Sequence, residues 1–600
     1  MPEFQITLNY TYISSVQGVR CCIPTQFILF DDILQFPGFT ERIAETLSSE
    51  SQNPQTTIHI PFRLLGFSAG GFGPPISLNQ NDPVEKEIEE ELIAQLSKSI
   101  DLQFKSNSRE EWLKLPKSLR FEVLSFIEVI GSAAFILDQY TKPILENTGI
   151  DMETSDSSAY AILSEPWNNR QLTSFRSVDC IGYADLRKLS FASRLVSEQV
   201  LKLINALPDT MDQSFTGCFI ESNLGRISIF GSKNDTILGN NCLTIDIGGD
   251  DKYLGNIASS GISIPVSIVI DKEGDDSYNA VNGFLSLGLL GISILFDLDG
   301  DDSYASGNPG MASSLYGTSL IFDVKGDDIY ASTSSFSQGS AMVGVAMLMD
   351  QEGDDHYYCS SYSQGFGSTL GVGMLVDLKG NDCYGKHPKM EDPLSFVQGA
   401  AKGRWAEATD GQSLGGGYGF LFDFEGDDSY HAESFSQGSA YYFGVGALYD
   451  QNGRDTYRSI SHSQGYAAHF ALGNLMEIQG DDSFNQDSDK KAITQIIGGG
   501  RDFSAGLFLD YSGNDSYVFG NRSAGIGDFN GIGIMCDLHG NDGYTWFKND
   551  MNRGSPSMGG VAGSEKGTSI GFRLFKPKSP GSLGLFSDNQ GDNNFFKTEE

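Results

Sequence analysis

Acidic residues recur at a regular spacing along residues 231–547, in a pattern that reads apolar–apolar–apolar–Asp–x–x–Gly–[Asp/Asn]–Asp–x–Tyr. The leading acid of each copy lies at Asp246, Asp271, Asp297, Asp323, Asp350, Asp377, Asp423, Asp450, Glu477, Asp510 and Asp537. A second Asp follows five residues later, at Asp251, Asp276, Asp302, Asp328, Asp355, Asp382, Asp428, Asp455, Asp482, Asp515 and Asp542. Most intervals between leading acids are 26 or 27 residues, so equivalent acids are expected to stack in columns.

Stacked carboxylates at about 5 Å repel each other by about 3 kcal/mol per neighbour at an effective dielectric of about 20. Bound cations would offset this repulsion, and carboxylates together with turn carbonyls suit Ca²⁺. Aspartates that accept hydrogen bonds from turn N–H groups are the alternative, and they need no metal. The predicted Ca²⁺ ligands are Asp251, Asp276, Asp302, Asp328, Asp355, Asp382, Asp428, Asp297 and Asp323. We expect weaker binding where the residue before the second Asp is not acidic, at Asn381, Arg454, Asn514 and Asn541.

A second candidate site lies in the coil between Asp377 and Asp423, where the interval rises to 46 residues. Insertions in repeat arrays project as loops, often on a binding face. The candidate binding residues are Trp405, Arg404, Lys402 and His387. An indole beside basic groups suits a sugar or an acidic partner. A solvated loop with one packed Trp is the alternative interpretation.

The elements that must position these residues are short strands. The three apolar residues before each leading acid fit a strand buried in a parallel sheet, and the Gly that follows marks a tight turn. A Ser-Gln-Gly motif, as at Gln338-Gly339, marks a further turn in several copies. The chain is therefore predicted to be mainly β, a parallel β-solenoid of about eleven coils of 26–27 residues. Five tyrosines should form one stacked column: Tyr253, Tyr278, Tyr304, Tyr330 and Tyr357.

Two resemblances follow from these motifs. The sequence Gly-Asn-Asp-Ser-Tyr at 513–517 is distantly similar to half of the RTX calcium-binding nonapeptide, although the period here is 26–27 residues. Residues 231–547 as a whole resemble uncharacterised bacterial proteins built from Gly-Asp-Asp-x-Tyr and Ser-Gln-Gly coils. The second resemblance implies a right-handed β-helix and supplies no activity.

Residues 1–230 lack the repeat and are predicted to be a mixed, mainly helical domain that caps the solenoid. Helices are predicted to open near Asp82, Ser108, Pro116 and Asp185, and strands are predicted at 4–15 and 56–66. Residues 231–547 form the repeat domain in this interpretation. Residues 548–600 are a Gly/Ser-rich segment, partly a cap or a tail.

The composition excludes some classes of function. Lys and Arg number 40 against 78 Asp and Glu, a formal net charge of −38, which argues against nucleic acid as a partner. No apolar stretch is long enough to predict a membrane span, and no signal peptide is visible. A secreted, cell-surface or periplasmic location is favoured, and the oligomeric state stays open.

Two functions remain after these exclusions. Because every prominent motif is periodic, the sequence favours a non-enzymatic structural or interaction solenoid, stabilised by Ca²⁺, that presents a rigid surface to a protein or glycan partner. The alternative is a polysaccharide lyase or glycoside hydrolase on a β-helix, with acids beside Arg404 as the catalytic groups.

Overall fold

The computed structural model describes residues 26, 29, 35–50, 59–65, 93, 100–105, 107–168, 176–486, 493–520, 522–547, 583–588 and 594–598. The fold is mainly β, a parallel β-solenoid of about eleven turns with about 27 residues per turn, beside a helical N-terminal region. The predicted fold class is therefore confirmed.

Sheet 1 contains the apolar runs that precede the leading acids. Its first two pairings are antiparallel and all later ones are parallel. Most of its strands in the repeat are buried along their whole length, as expected for a parallel sheet covered on both faces. Its strands are Gln103–Phe104, Cys218–Ser222, Gly225–Ile229, Leu243–Ile245, Val266–Ile270, Ile292–Phe296, Thr318–Phe322, Gly344–Asp350, Gly371–Asp377, Tyr418–Asp423, Val445–Asp450, Leu472–Glu477, Ala505–Asp510, Ile532–Asp537 and Leu583–Asp588.

Sheet 2 contains the short strands that carry the tyrosine of each repeat, replaced in one coil by Phe484, and all its pairings are parallel. Its strands are Thr236–Leu238, Lys252–Leu254, Ser277–Ala280, Ser303–Ser306, Ile329–Ser332, His356–Cys359, Cys383–Lys386, Ser429–His431, Thr456–Arg458, Ser483–Phe484, Ser516–Phe519, Gly543–Phe547 and Asn594–Thr598. A shorter third face consists of Leu287–Leu289, Ser313–Leu315 and Ser340–Met342, followed by Ala401–Lys402, Ala440–Tyr441, Ala467–Ala468, Gly500–Arg501 and Gly527–Asp528. Bridges of Gly367 to Ala341 and Ala401 join its two parts.

Close backbone packing explains the glycines of the Ser-Gln-Gly motif. Gly365 adopts a φ of 75°, and a Cβ built on it would overlap the carbonyl oxygen of Phe420 in sheet 1. Four residues before the leading acid, Gly373 likewise has no room for a Cβ beside the carbonyl oxygen of Phe366. The small residues at these two positions therefore let the third face approach sheet 1.

The N-terminal helices are Phe36–Glu50, His59–Leu64, Ser108–Lys114, Lys117–Thr148, Asp156–Asn168, Arg176–Asp179 and Leu186–Asn205, with a 3₁₀ turn at Cys180–Tyr183. Three of the predicted helix starts are confirmed. Pro116 caps the long helix, and the Asp185 side chain accepts a hydrogen bond from the Arg187 amide at the start of the last one. The strand predicted at 4–15 and most of the helix predicted after Asp82 lie outside the described residues.

The strand predicted at 56–66 is wrong, because His59–Leu64 is a helix. Ile60, Phe62 and Leu64 are buried while Arg63 is exposed, and the helix contacts the sheet 1 strand Gly344–Asp350. A short apolar run of this length does not distinguish strand from helix by itself, and packing against sheet 1 decides it here.

The N-terminal helices lie along sheet 1 and cover more than its end. The Tyr140 hydroxyl donates to the carbonyl oxygen of Tyr316 at 3.1 Å, and the hydroxyls of Ser193 and Thr318 are 2.8 Å apart. One apolar core contains these helices and one face of sheet 1. A second core, inside the solenoid, contains the other face of sheet 1 and the tyrosines of sheet 2.

The repeat continues beyond residue 547. Leu583–Asp588 pairs in parallel with Ile532–Asp537 and sets Asp588 opposite Asp537. Asn594–Thr598 pairs with Gly543–Phe547. Part of the predicted tail therefore adds strands to sheets 1 and 2. Across the described part of the chain, no helix has the length and apolar character needed to cross a membrane.

Candidate metal centre and groove

The tyrosines of sheet 2 form one stacked column inside the solenoid, as predicted. Successive ring centroids from Tyr253 to Tyr357 are 4.6 to 4.9 Å apart, and the ring planes are within 17° of parallel. The column continues through Tyr384, Tyr430 and Tyr457. This spacing is the distance between hydrogen-bonded strands, so the parallel register of sheet 2 sets it.

Each phenol of this column donates a hydrogen bond to the leading acid of the next coil. The distance is 2.5 Å from Tyr278 to Asp297 and 2.6 Å from Tyr304 to Asp323. The Tyr457 hydroxyl donates to Glu477 at 2.6 Å, so a Glu at the leading position makes the same hydrogen bond as the Asp residues of the other coils. The leading acids are buried at the carboxyl ends of the sheet 1 strands, where the turn directs them inward. The spacing in the sequence predicted the tyrosine column, but it did not predict the hydrogen bonds from these tyrosines to the leading acids.

The second aspartates form a ladder with the backbone. Oδ1 of Asp302 accepts a hydrogen bond from the amide of Asp276 at 2.6 Å, and Oδ1 of Asp328 accepts one from the amide of Asp302. The ladder crosses the insertion intact, because the Asp382 amide donates to Asp428 at 2.6 Å. The hydrogen-bonded turn considered from the sequence is therefore present, but it satisfies only one oxygen of each second Asp.

In most coils the remaining oxygens of the two acid columns have no hydrogen-bond donor, although Oδ1 of Asp377 accepts from the Lys379 amide and Oδ2 of Asp328 lies 3.4 Å from the Tyr330 hydroxyl. In the coil of Asp297 and Asp302, Oδ1 of the first and Oδ2 of the second are buried and have no hydrogen-bond partner. Burial raises the pKa of both carboxyls, and the Asp297 charge further raises the pKa of Asp302. Burial also raises the pKa of Asp482 to about 8. A second charge in such a pair is strongly disfavoured unless a proton or a cation lies between the oxygens.

Carboxylates from adjacent coils form groups that could hold a metal ion. Each group joins the second Asp of one coil to both acids of the next, with one oxygen of each within 4.8 Å of the others. Four such groups are Asp251–Asp271–Asp276, Asp276–Asp297–Asp302, Asp302–Asp323–Asp328 and Asp328–Asp350–Asp355. Asp382 and Asp428 lie in the same column. The structure therefore brings the predicted metal ligands together inside the solenoid.

The residue before the second Asp lies outside these groups. Asp301, Asp327 and Asp354 are exposed, and each accepts a hydrogen bond from the equivalent amide of the next coil. Arg454 bonds Asp427 at 3.3 Å on the surface. The side chain at this position points to solvent and supplies no ligand to these groups, so the weaker binding expected at Asn381, Arg454, Asn514 and Asn541 stays a prediction that depends on charge alone.

The glutamines of the Ser-Gln-Gly motif cross the interior to sheet 2. The Gln364 amide donates to the carbonyl oxygen of Tyr357 at 2.8 Å. Two residues earlier, buried and half-buried aromatic side chains form a second stack, with Phe396 5.5 Å from Tyr362 and 5.0 Å from Phe435. Sequence analysis missed this second ladder. The signal was present as an aromatic residue two positions before Gln in successive copies.

A groove of about 1050 Å³ lies where this aromatic ladder meets the inserted coil and the helix Asp156–Asn168. Lys402, Arg404 and Trp405 all line it. The Lys402 ammonium lies 4.8 Å above the rings of Tyr362 and Phe396 and donates to the Tyr362 hydroxyl at 3.0 Å. The structure thus brings together three of the four predicted binding residues.

Arg404 holds the loop that carries Trp405. Its guanidinium donates to both carboxylate oxygens of Asp410, at 2.8 and 2.6 Å, and to the carbonyl oxygen of Gln412. This pair is buried. Trp405 stacks on His469 at 5.7 Å and remains 48% exposed. Arg404 therefore fixes the position of the indole more than it offers a charge to a ligand.

His387 does not line the groove. It is buried in the turn that follows Cys383–Lys386, where its Nδ1 accepts a hydrogen bond from the amide of Lys389 at 3.1 Å. Burial lowers the pKa of this imidazole. These contacts indicate that His387 stabilises the turn and does not bind a ligand in the groove.

Comparison of the chain with protein-family models, curated proteins and solved structures finds no match. In the described part of the chain, the fold and these two sites define a parallel β-solenoid with buried acid columns and an aromatic groove.

Proposed function

We propose that the protein is a non-enzymatic binding module, in which a rigid solenoid presents one groove to a glycan. The observation that carries this proposal is the position of the groove. The acid, tyrosine and glutamine columns repeat in coil after coil, whereas the groove is built where the large insertion meets the N-terminal helices. Columns that repeat in each coil serve the structure, whereas a concave surface that departs from the repeat is where ligand recognition is expected.

The lining of the groove favours a carbohydrate over an apolar ligand. Exposed indole and stacked aromatic side chains lie beside hydroxyl groups of Ser334, Ser335 and Ser360. Sugars present apolar ring faces together with hydroxyls, so they match such a mixed surface. The formal net charge of −38 disfavours a polyanionic ligand, so the proposed ligand is an uncharged glycan.

Ca²⁺ is the cation proposed for the acid columns. The candidate ligands are all oxygen atoms, which excludes a preference for soft metals. The acids of the four groups named above are all buried, and Mg²⁺ usually keeps several of its waters, whereas Ca²⁺ accepts many carboxylate oxygens in flexible geometry. A Ca²⁺ requirement fits the secreted, cell-surface or periplasmic location expected from the sequence.

Affinity electrophoresis tests the glycan proposal. The chain is run in native gels that contain hydroxyethyl cellulose, xylan, mannan or dextran, with polygalacturonate as the acidic comparison. At least one neutral polysaccharide should retard the protein, and Trp405→Ala should abolish the retardation. Tyr183→Ala is the control, because Tyr183 is equally exposed, at 48%, and does not line the groove.

Two outcomes would overturn the proposal. One is the absence of retardation by any of the neutral polysaccharides, or retardation that Trp405→Ala leaves unchanged. The other is the release of new reducing ends or unsaturated sugars from a polysaccharide, which would favour the lyase or hydrolase alternative.

A further inference from the structure

The acid groups are linked to one another along the solenoid. Asp302 belongs to the group of its own coil, with Asp276 and Asp297, and to the group of the next coil, with Asp323 and Asp328. Each second Asp therefore connects two successive groups. The ladder that carries these residues passes the insertion without a break.

Hydrogen bonds satisfy only one oxygen of each carboxyl in the coil of Asp297 and Asp302. Asp297 Oδ2 accepts from Tyr278 and Asp302 Oδ1 accepts from the Asp276 amide, so both of those oxygens are satisfied. The other oxygen of each carboxyl is buried, at 1% and 2% residue exposure, and has no partner. Two facing acceptors can share a single proton, which satisfies both of them but leaves one negative charge in the pair.

In the part of the chain that the structure describes, no basic side chain balances that remaining charge. From Asp271 to Asp515, none of the described Lys, Arg or His side chains forms an ion pair with a leading acid or a second Asp. Lys325 and Lys379 bond Asp299 and Glu352 on the surface instead. One uncompensated charge per coil would then repeat at about the spacing of the tyrosine rings, 4.7 Å, through a buried column.

We infer that the acid columns hold a continuous file of divalent cations, one per coil, each bound by the second Asp of one coil and both acids of the next. A divalent cation in place of the shared proton neutralises the two carboxylates of its coil and supplies a partner for both unpaired oxygens. The identity of the ion rests on the proposed function, which names Ca²⁺, whereas the file and its stoichiometry rest on the geometry above.

Metal analysis of the full chain tests the file. Protein stripped with chelator is reloaded with Ca²⁺, Mg²⁺ or Mn²⁺ alone and then desalted. Its metal content is measured by inductively coupled plasma mass spectrometry. The expected content is about one ion per coil with the preferred metal. Terbium provides a second measurement, because a Tb³⁺ ion in the file lies beside the tyrosine column and should luminesce when tyrosine is excited.

Asp302→Asn removes a charged ligand from two neighbouring groups and should lower the metal content by one to two ions per chain. Asp301→Asn is the matched control, because it makes the same change at the exposed neighbouring position and should leave the content unchanged. If Asp302→Asn fails to fold, terbium luminescence of the unaltered chain decides the question.

A content of zero to two ions per chain with every metal would overturn the file, as would a folded Asp302→Asn variant with unaltered content. Tb³⁺ that does not luminesce on tyrosine excitation would also overturn it. A full file of a metal other than Ca²⁺ would support the file and overturn the proposed identity of the ion. Loss of glycan binding leaves the metal content unchanged, so the two proposals fail independently.

Discussion

At the scale of the residue, each tyrosine of the inner column has two roles that come from one side chain. Its ring stacks on the rings of neighbouring coils, and its hydroxyl donates to a buried acid of the next coil. Stacking alone does not require a hydroxyl, and one coil uses Phe484 in the column. The contribution of the phenol can therefore be separated from that of the ring.

Tyr304→Phe should destabilise the protein by about 1–3 kcal/mol, because the hydroxyl that donates to Asp323 at 2.6 Å is lost and a buried carboxylate oxygen is left unsatisfied. The measurement is the shift of the urea unfolding midpoint. Tyr183→Phe removes a hydroxyl from an exposed tyrosine and should leave the midpoint unchanged. Equal midpoints for both variants would show that ring stacking alone supports the column.

The Arg404–Asp410 pair supports a second residue-scale prediction. Asp410→Asn should loosen the inserted loop at a local cost of about 3–5 kcal/mol, because a buried guanidinium loses its charged partner. Limited proteolysis should then cut the segment 402–414 faster. Asp427→Asn breaks the exposed pair with Arg454, which contributes no more than about 1 kcal/mol to stability. Its rate of cleavage should therefore stay close to that of the unaltered protein. Similar cleavage of the two variants would contradict the role of Arg404 as a clamp.

At the scale of the element, the repeat made the strands predictable. An apolar run before each acid and a tyrosine after each turn recur at fixed offsets, so each of the eleven copies predicted the same pair of strands. The helix His59–Leu64 has no such copies to support it, and tertiary contacts with sheet 1 decide its conformation.

The repeat also made part of the candidate site predictable. Spacing located the acid columns and the tyrosine column, because parallel register preserves sequence offsets. Spacing could not show that Asp301 faces solvent while Asp302 faces the interior, since adjacent residues in a turn follow no simple alternation. It also could not show that the helix Asp156–Asn168 would complete the groove, because that contact joins distant segments of the chain.

The glycines of the Ser-Gln-Gly turns give a prediction at this scale. Gly365→Ala should cost more than about 3 kcal/mol, because its φ of 75° disfavours a side chain and the added Cβ would overlap a sheet 1 carbonyl. Gly385→Ala is the control, since nothing lies within 4 Å of a Cβ built there. Unfolding midpoints measured in parallel compare the two. A Gly365→Ala variant as stable as the control would contradict the close packing of the third face on sheet 1.

At the scale of the whole molecule, the solenoid and the N-terminal helices depend on each other. Sheet 1 is apolar on both faces, one toward the tyrosines and the other toward the helices. At one end of the sheet, the antiparallel strand Cys218–Ser222 pairs with Gly225–Ile229 and so covers what would be an open edge of the coils, and Gln103–Phe104 pairs in turn with Cys218–Ser222. Without the helices, a long apolar surface would remain exposed along several coils, which is an aggregation hazard.

Adjacent residues of one strand test this dependence. Met347 faces the core that contains the N-terminal helices, and Leu348 faces the tyrosine column, so an aspartate at either position buries an unpaired charge in a different core. Met347→Asp should keep the strand signal in circular dichroism, bind a hydrophobic dye and expose the helical segment 107–205 to protease, because the helices detach while the coils remain. Leu348→Asp should lose strand signal, because it disrupts the coils themselves, whereas Ile329→Asp, at an exposed position on sheet 2, should resemble the unaltered protein. A Met347→Asp variant that binds no dye and resists protease would mean that the helices are not held by this face of sheet 1.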